Sequence, residues 1–234
     1  MKKYKICDLI VKMNPIYEPL KSQIIPYLVE TDEEIDFEIP NIEDKVEKLF
    51  NETQLPNIGT AEYLLYGSYF YTRLIMYEGV MLHSSSVVYE DKAYLFSAPS
   101  GTGKSTHTSL WLEVFEGSYI LNDDKPAIRI IDDKIYAYGT PFSGKTDLSV
   151  PTRKEIKGIC FLERSKENWI KEASLKDAIS FFYRETVRPG HKELLDRAFD
   201  IVEKIVENVK IYRLGVNISH EAAILAYNKM NEAT

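Results

Sequence analysis

Cysteine is nearly absent from this chain: 234 residues contain two, Cys7 and Cys160, with no CxxC pair and no Cys/His cluster. That excludes a disulfide framework and a zinc site of ordinary ligand spacing, and it fits a reducing, cytoplasmic setting. Glycine (11) and proline (10) are also sparse, below the roughly 12% of ordinary chains. Long linkers and low-complexity stretches are therefore not expected. An excess of basic residues is missing too, since 29 Lys and Arg face 36 Asp and Glu for a net charge of −7. Such a chain lacks the electrostatic footprint of a nucleic-acid binder. Nor is there a long hydrophobic run: the most apolar stretch, Tyr63 to Tyr77, is broken by Arg73, and Met1 to Leu9 carries Lys2, Lys3 and Lys5 without an apolar segment of signal-peptide length. Neither a leader nor a membrane partner is expected.

What remains has the balance of one globular domain, with 44% hydrophobic and 28% charged residues. The first 40 residues read as short strands punctuated by proline: Tyr4 to Val11, Tyr27 to Val29 and Asp36 to Ile39. A helix follows from Asn41 to about Phe50, and a second starts at Thr60 and runs from Ala61 to about Tyr77, its aromatics forming a packing face. From Val80 the pattern turns to β. One hairpin turns at Glu90-Asp91, so that paired positions sum to 181 and His83 lies opposite Ala98; another, Ala127 to Tyr138, turns at Asp132-Asp133. Ile156 to Leu162 is a further strand. Leu175 to Val187 and the amphipathic Lys192 to Val209 are helical, and a strand Lys210 to Leu214 and a helix Glu221 to Met230 complete the pattern. Alternating helices and hairpins predict an α/β domain with a mixed sheet. Residues 1–59 are expected to pack as strands and a helix on a main domain of residues 60–234.

A strand, Ala93 to Phe96, leads straight into Ser97-Ala98-Pro99-Ser100-Gly101-Thr102-Gly103-Lys104-Ser105-Thr106, and the residues to Phe115 are helix-compatible. This is a Walker A phosphate loop in its required context. Glycines let the backbone amides of Ser100 to Thr106 turn around phosphates, the helix N-terminus adds its positive end, Lys104 reaches the β and γ oxygens, and the Ser105 hydroxyl takes a Mg²⁺ position. The helix carries the chain about 18 Å away at 1.5 Å per residue, and a strand of about five residues returns roughly 16 Å. Asp123-Asp124 therefore lands at the phosphate end. Asp123 is assigned to the metal and Asp124 to the base that takes the acceptor's proton, with the reverse order open. The loop Gly139-Thr140-Pro141-Phe142-Ser143-Gly144-Lys145 comes next to this pair, with Asp124 expected opposite Pro141, and Lys145 is placed to add charge in the transition state. His83 sits beside the phosphate loop as a further catalytic candidate. Arg184 and Arg188 flank a helix end; they are candidates for binding phosphate or an acidic substrate, and a solvated helix C-terminus favoured by the dipole explains them as well.

Together these features resemble a family. His83-Ser84-Ser85, the SGTGKST string of Ser100 to Thr106, and an acidic pair 19 residues after the loop lysine are similar to the C-terminal domain of HPr kinase/phosphorylase and its compact relatives, which share a P-loop fold with PEP carboxykinase. The SGTGKSTHTSLW and GTPFSGK strings resemble the compact group, some of whose members phosphorylate a serine of a precursor peptide. The resemblance covers about Val80 to Leu214. It implies a mixed-sheet P-loop domain with flanking helices, and a kinase that uses ATP and Mg²⁺ to phosphorylate a serine of a peptide or small protein. HPr kinases assemble as hexamers, so an oligomer is compatible with the resemblance. The alternatives are an ATP-sensing module without catalysis, a small-molecule kinase and a carboxykinase-like enzyme. No Asn-Lys-x-Asp motif for guanine is present.

Overall fold

Three hairpins in this chain turn on pairs of non-glycine residues with left-handed backbone: Cys7-Asp8 (φ 56° and 61°), Glu90-Asp91 (48° and 63°) and Asp132-Asp133 (48° and 60°). Two-residue turns with positive φ at both centres match the twist of the strands they join. In the computed structural model, which describes residues 1–232, the first of these turns divides the stretch expected as one strand, Tyr4 to Val11. It is two strands, β1 (Lys2–Ile6) and β2 (Leu9–Met13), paired in antiparallel register. No glycine marks the turn, and buried Cys7 continues the apolar pattern through it.

β3 (Phe37–Glu38) adds to β2 in parallel and completes a three-stranded sheet. The strand expected at Tyr27 to Val29 is instead a 3₁₀ turn, Ile25–Tyr27, with one bridge from Leu28 to Tyr4; Pro26 in the turn suits its fixed φ. A short helix α1 (Leu20–Gln23) precedes that turn. α2 spans Glu43–Glu52 and α3 Ile58–Leu74. The start expected at Thr60 moves back because Asn57 is the cap, its side chain accepting from the Thr60 amide at 2.9 Å. Residues 75–77 leave the expected helix as a 3₁₀ turn, after which Glu78 takes φ 54°. Buried Glu62 of α3 accepts from the amides of Ile16 and Tyr17, each at 2.8 Å, and so ties the N-terminal segment to this helix.

The main sheet has nine strands among the described residues. The run from Val80 is two strands, because β4 (Gly79–Met81) pairs with β8 (Ala127–Ile131) while β5 (Ser84–Tyr89) lies between β6 (Lys92–Ser97) and β7 (Tyr119–Asn122). The chain changes neighbours at Leu82-His83. β9 (Lys134–Tyr138) pairs with β8 in the expected register, Ala127 opposite Tyr138. β10 (Arg153–Arg164) meets β9 at its start, then runs parallel to β6 on one side and to β12 (Ile211–Val216) on the other. A strand that the residue pattern does not predict, β11 (Trp169–Glu172), pairs with β12.

Alternation along β6 sorts the two cores. Ala93 and Leu95 face α5 (Leu175–Glu185) and α6 (Lys192–Asn208), whereas Tyr94 and Phe96 face α4 (Lys104–Val114) and α7 (His220–Asn231). Fully buried Ile201 and Ile205 of α6 each contribute about 2 kcal/mol of apolar burial to the first core. The helix expected over Leu175 to Val187 ends at Glu185. A third cluster joins β1, β2, α2 and α3 to Tyr138 and Phe142 of the main sheet's side. Among the described residues, no helix is long and apolar enough to cross a membrane.

Candidate active site

β6 ends at Ser97 and α4 begins at Lys104, with the phosphate loop between them. Gly101 (φ 79°) and Gly103 (φ 119°) hold left-handed conformations. A methyl group at either would meet nothing within 4 Å, so glycine is required there by the backbone and not by space. Lys104 is buried and folds back to donate to the Ala98 carbonyl at 2.8 Å. Burial lowers its pKa, opposed by the negative charges of Glu185, Asp124 and Asp123. Arg164, at the end of β10, donates to the Gly101 carbonyl at 2.6 Å.

The acidic pair is set by Asn122 at the end of β7. Its Oδ1 accepts from the amides of Asp124 (3.0 Å) and Lys125 (2.8 Å), and its Nδ2 donates to the Thr140 carbonyl at 3.0 Å. The two carboxylates then meet different partners. Asp123 is buried and accepts from Ser85 Oγ at 2.6 Å and Thr146 Oγ1 at 2.9 Å. Among the described residues no Lys, Arg or His nitrogen lies within 4.0 Å of it.

Asp124 Oδ1 lies 3.3 Å from His83 Nε2, and its Oδ2 contacts the Lys125 ammonium. On the other side of the ring, His83 Nδ1 is 3.0 Å from Glu185 Oε2. Both bonds are donated together only by the protonated ring. Burial of Asp124 would raise its pKa, but the hydrogen bond from His83 and the Lys125 charge outweigh it and hold the carboxyl at about 2.

The loop from Gly139 to Asp147 covers the pair and is anchored by its own aromatic. Phe142 is fully buried among Tyr63, Phe70 and Tyr71, with ring centroids 5.4 to 5.7 Å apart. Gly144 is clamped at both backbone groups: its amide donates to Tyr63 Oη at 3.0 Å, and its carbonyl accepts from Gln23 Nε2 at 2.9 Å. The Lys125 ammonium also stands over the Tyr63 ring, 4.8 Å from its centre. Asp124 meets this loop at Gly144, and the β8–β9 ladder stops at Ala127 with Tyr138, short of the expected pairing of Asp124 with Pro141.

Ser100, Gly101, Gly103, Lys104, Ser105, Thr106, His83, Asp123, Asp124 and Lys145 all line one cavity of about 500 Å³. Thr102 does not; it lines a second cavity on the other face of the loop. Arg184 and Arg188 lie outside, stacked over Phe181 and Tyr183. Sequence reasoning misses Glu185, Lys125, Tyr63, Gln23, Ser85 and Thr146. Ser85 and Lys125 adjoin residues already singled out, but nothing in the sequence pairs Glu185 with a histidine 102 positions away.

A Mg²⁺ keeps several waters and takes one or two carboxylates plus phosphate oxygens. Among the described residues no group of three or more His, Cys, Asp or Glu side chains could hold a metal alone, which is compatible with that mode. A buried carboxylate is ordinarily paired with a cation or a metal. Asp123 lacks a basic partner and lines the same cavity as the Ser105 hydroxyl, so these two residues fit the ion.

No family model and no curated protein matches the sequence. Among solved structures the chain is similar to the Hpr(Ser) kinase/phosphatase from Coxiella burnetii at 10% identity and a TM-score of 0.39, over 64% of this chain and 94% of that one. A likeness at that level carries no argument about chemistry. The assignment of the site rests on its own geometry.

Proposed function

We propose that this protein is a phosphotransferase that moves the γ-phosphoryl group of ATP to a hydroxyl, that of a serine in a peptide or small protein. The observation that carries this reading is the convergence of Lys104 and Asp124 on one cavity, with Asp124 held ionised between His83 and Lys125. The serine acceptor rests on the sequence resemblance to HPr-kinase-like enzymes.

The acceptor oxygen bonds to the γ-phosphorus, the bond to the β,γ-bridging oxygen breaks, ADP leaves, and the hydroxyl proton passes to Asp124. A carboxylate of such low basicity suits a loose transition state, in which the hydroxyl is oriented first and loses its proton late. His83 and Lys125 fix the carboxylate's orientation, and Lys104 and Lys145 offset charge on the transferred group. Ser105 and Asp123 would hold Mg²⁺, which when bound neutralises phosphate charge.

The test is incubation of the purified protein with γ-labelled ATP, Mg²⁺ and a panel of serine-bearing peptides, beside Lys104→Ala. Label on a serine with wild type alone supports the proposal. ATP binding without transfer to any hydroxyl, peptide or small molecule, overturns it.

A further inference from the structure

The phosphate loop is a wall with a cavity on each face. Gly101, Gly103 and Thr106 line both the transfer cavity and a second one of about 530 Å³, which lies between α4, the end of β10 and the β12–α7 connection. Lys104, Asp123 and Asp124 belong to the first face alone. We infer that the second cavity is the seat of the nucleoside of a nucleoside triphosphate, with Ile218 as the side chain that covers the base. This inference rests on the phosphotransferase reading above.

The placement follows from the sheet. β6, β10 and β12 are neighbours and parallel, so their carboxyl ends open on one side, where ligands of open α/β sheets bind. The phosphate loop leaves β6 there, Arg164 and Ser165 leave β10, and Asn217 and Ile218 leave β12. A triphosphate lying along the loop with its reacting end at Asp124 has its ester end on the opposite face. The volume lies within the range of small-molecule sites.

The lining suits a nucleoside. Leu110, Val216 and Ile218 supply apolar faces, and Ile218 is 82% exposed, the most exposed large hydrophobic side chain described. An isoleucine at the mouth of a cavity with nothing packed on it gains apolar burial only when a ligand lies against it. Arg164 lines the second cavity and is bonded to the carbonyl of Gly101, which lines both, and among the described residues no carboxylate lies within 4.0 Å of it. Its charge faces the position of the phosphate nearest the nucleoside. Asn217 is already engaged through both ends of its amide, with the Lys166 carbonyl at 3.2 Å and Ser219 Oγ at 2.6 Å. It shapes the connection and leaves the base to be gripped by its faces.

The test compares two ligands by titration calorimetry in Mg²⁺: the non-hydrolysable β,γ-imido analogue of ATP, and inorganic tripolyphosphate, which has no nucleoside. Ile218→Asp should weaken the nucleotide analogue about tenfold, a loss equivalent to part of one apolar side chain's burial, and leave tripolyphosphate unchanged. Unchanged nucleotide affinity overturns the inference. So does equal weakening of both ligands, which would place the effect on the loop and not on the nucleoside. Lys104→Ala supplies the separate control: it weakens both ligands if the phosphate-loop reading holds, and its failure to do so counts against that reading and not against the cleft. An 82% exposed position tolerates aspartate without cost to the fold.

Discussion

Gly144 lies against Asp124 so closely that a methyl group on its Cα would stand 2.9 Å from Asp124 Cβ and 3.1 Å from Cγ. Its φ of 72° adds a conformational demand of about 1–2 kcal/mol on any side chain. Gly144→Ala should therefore push the Asp124 carboxylate from its seat between His83 and Lys125. The expected result is a fall of at least tenfold in kcat with nucleotide affinity retained. Wild-type turnover in this variant would show that the carboxylate's position does not matter.

Lys104→Ala removes a buried ammonium bonded to the phosphate loop at the Ala98 carbonyl. Nucleotide affinity should drop by at least a hundredfold, about 3 kcal/mol for a lost charge-assisted contact, as read by calorimetry. Unaltered ATP affinity and turnover would sink the phosphate-loop assignment.

Asp124→Asn keeps the size of the side chain and removes the proton acceptor. Phosphoryl transfer should fall by about 10²–10⁴-fold, with nucleotide affinity within about threefold of wild type. Should this variant lose Mg²⁺ dependence while Asp123→Asn keeps it, the roles given to the two aspartates are exchanged.

Tyr63→Phe deletes the oxygen that accepts from the Gly144 amide and leaves the ring against Phe142. Because the apolar packing survives, melting temperature should change little while kcat falls several-fold and KM for ATP stays put. A fall in stability that accounts for all the lost activity would mean that Tyr63 serves the fold alone. Gln23→Ala, which releases the Gly144 carbonyl, should act in the same direction.

Glu62 tests a different part of the structure. Burial raises its pKa above 4.5, more than the amides of Ile16 and Tyr17 lower it. The folded chain thus holds this proton at higher pH than the unfolded chain does, so the contribution is fully present below about 4.5 and is lost as pH rises through the folded value. Stability of wild type relative to Glu62→Gln, read from denaturant midpoints, should be greatest at the acid end and decline toward neutrality. A relative stability that climbs with pH would contradict the sign.

The parts of the fold legible in the sequence are those decided within a few residues. Turns of two residues fix strand register, which is why Ser84 faces Ser97 and Ala127 faces Tyr138 as expected from Glu90-Asp91 and Asp132-Asp133. The same logic brings His83 to the phosphate loop, where Ser97 Oγ donates to its carbonyl at 2.8 Å. The turn at Cys7-Asp8 is hidden because a buried cysteine carries no turn signal. The change of strand at Leu82-His83 is hidden as well, since its cause is the pairing of β4 with β8, more than 40 residues later by the registers of Val80 with Ile128.

In the site, the groups that the sequence names are those whose chemistry is local: the loop, its lysine and the acidic pair. Those it does not name act through tertiary contact. Tyr63 reads as one aromatic among many in α3, and Gln23, buried at the end of a four-residue helix that the residue pattern does not predict, carries no signal. Only the folded loop at Gly144 gives either a task.

That task has a consequence for how activity is acquired. The bond from Gln23 to Gly144 spans 121 residues, Tyr63 to Gly144 spans 81, and His83 to Glu185 spans 102. Contacts of such sequence separation close late, because chain entropy opposes them until most of the chain is in place. Helices and hairpins can therefore be complete while the candidate site is still unformed. In refolding, recovery of turnover should trail the far-ultraviolet circular dichroism signal, which makes turnover the most stringent reporter that segments about a hundred residues apart have met.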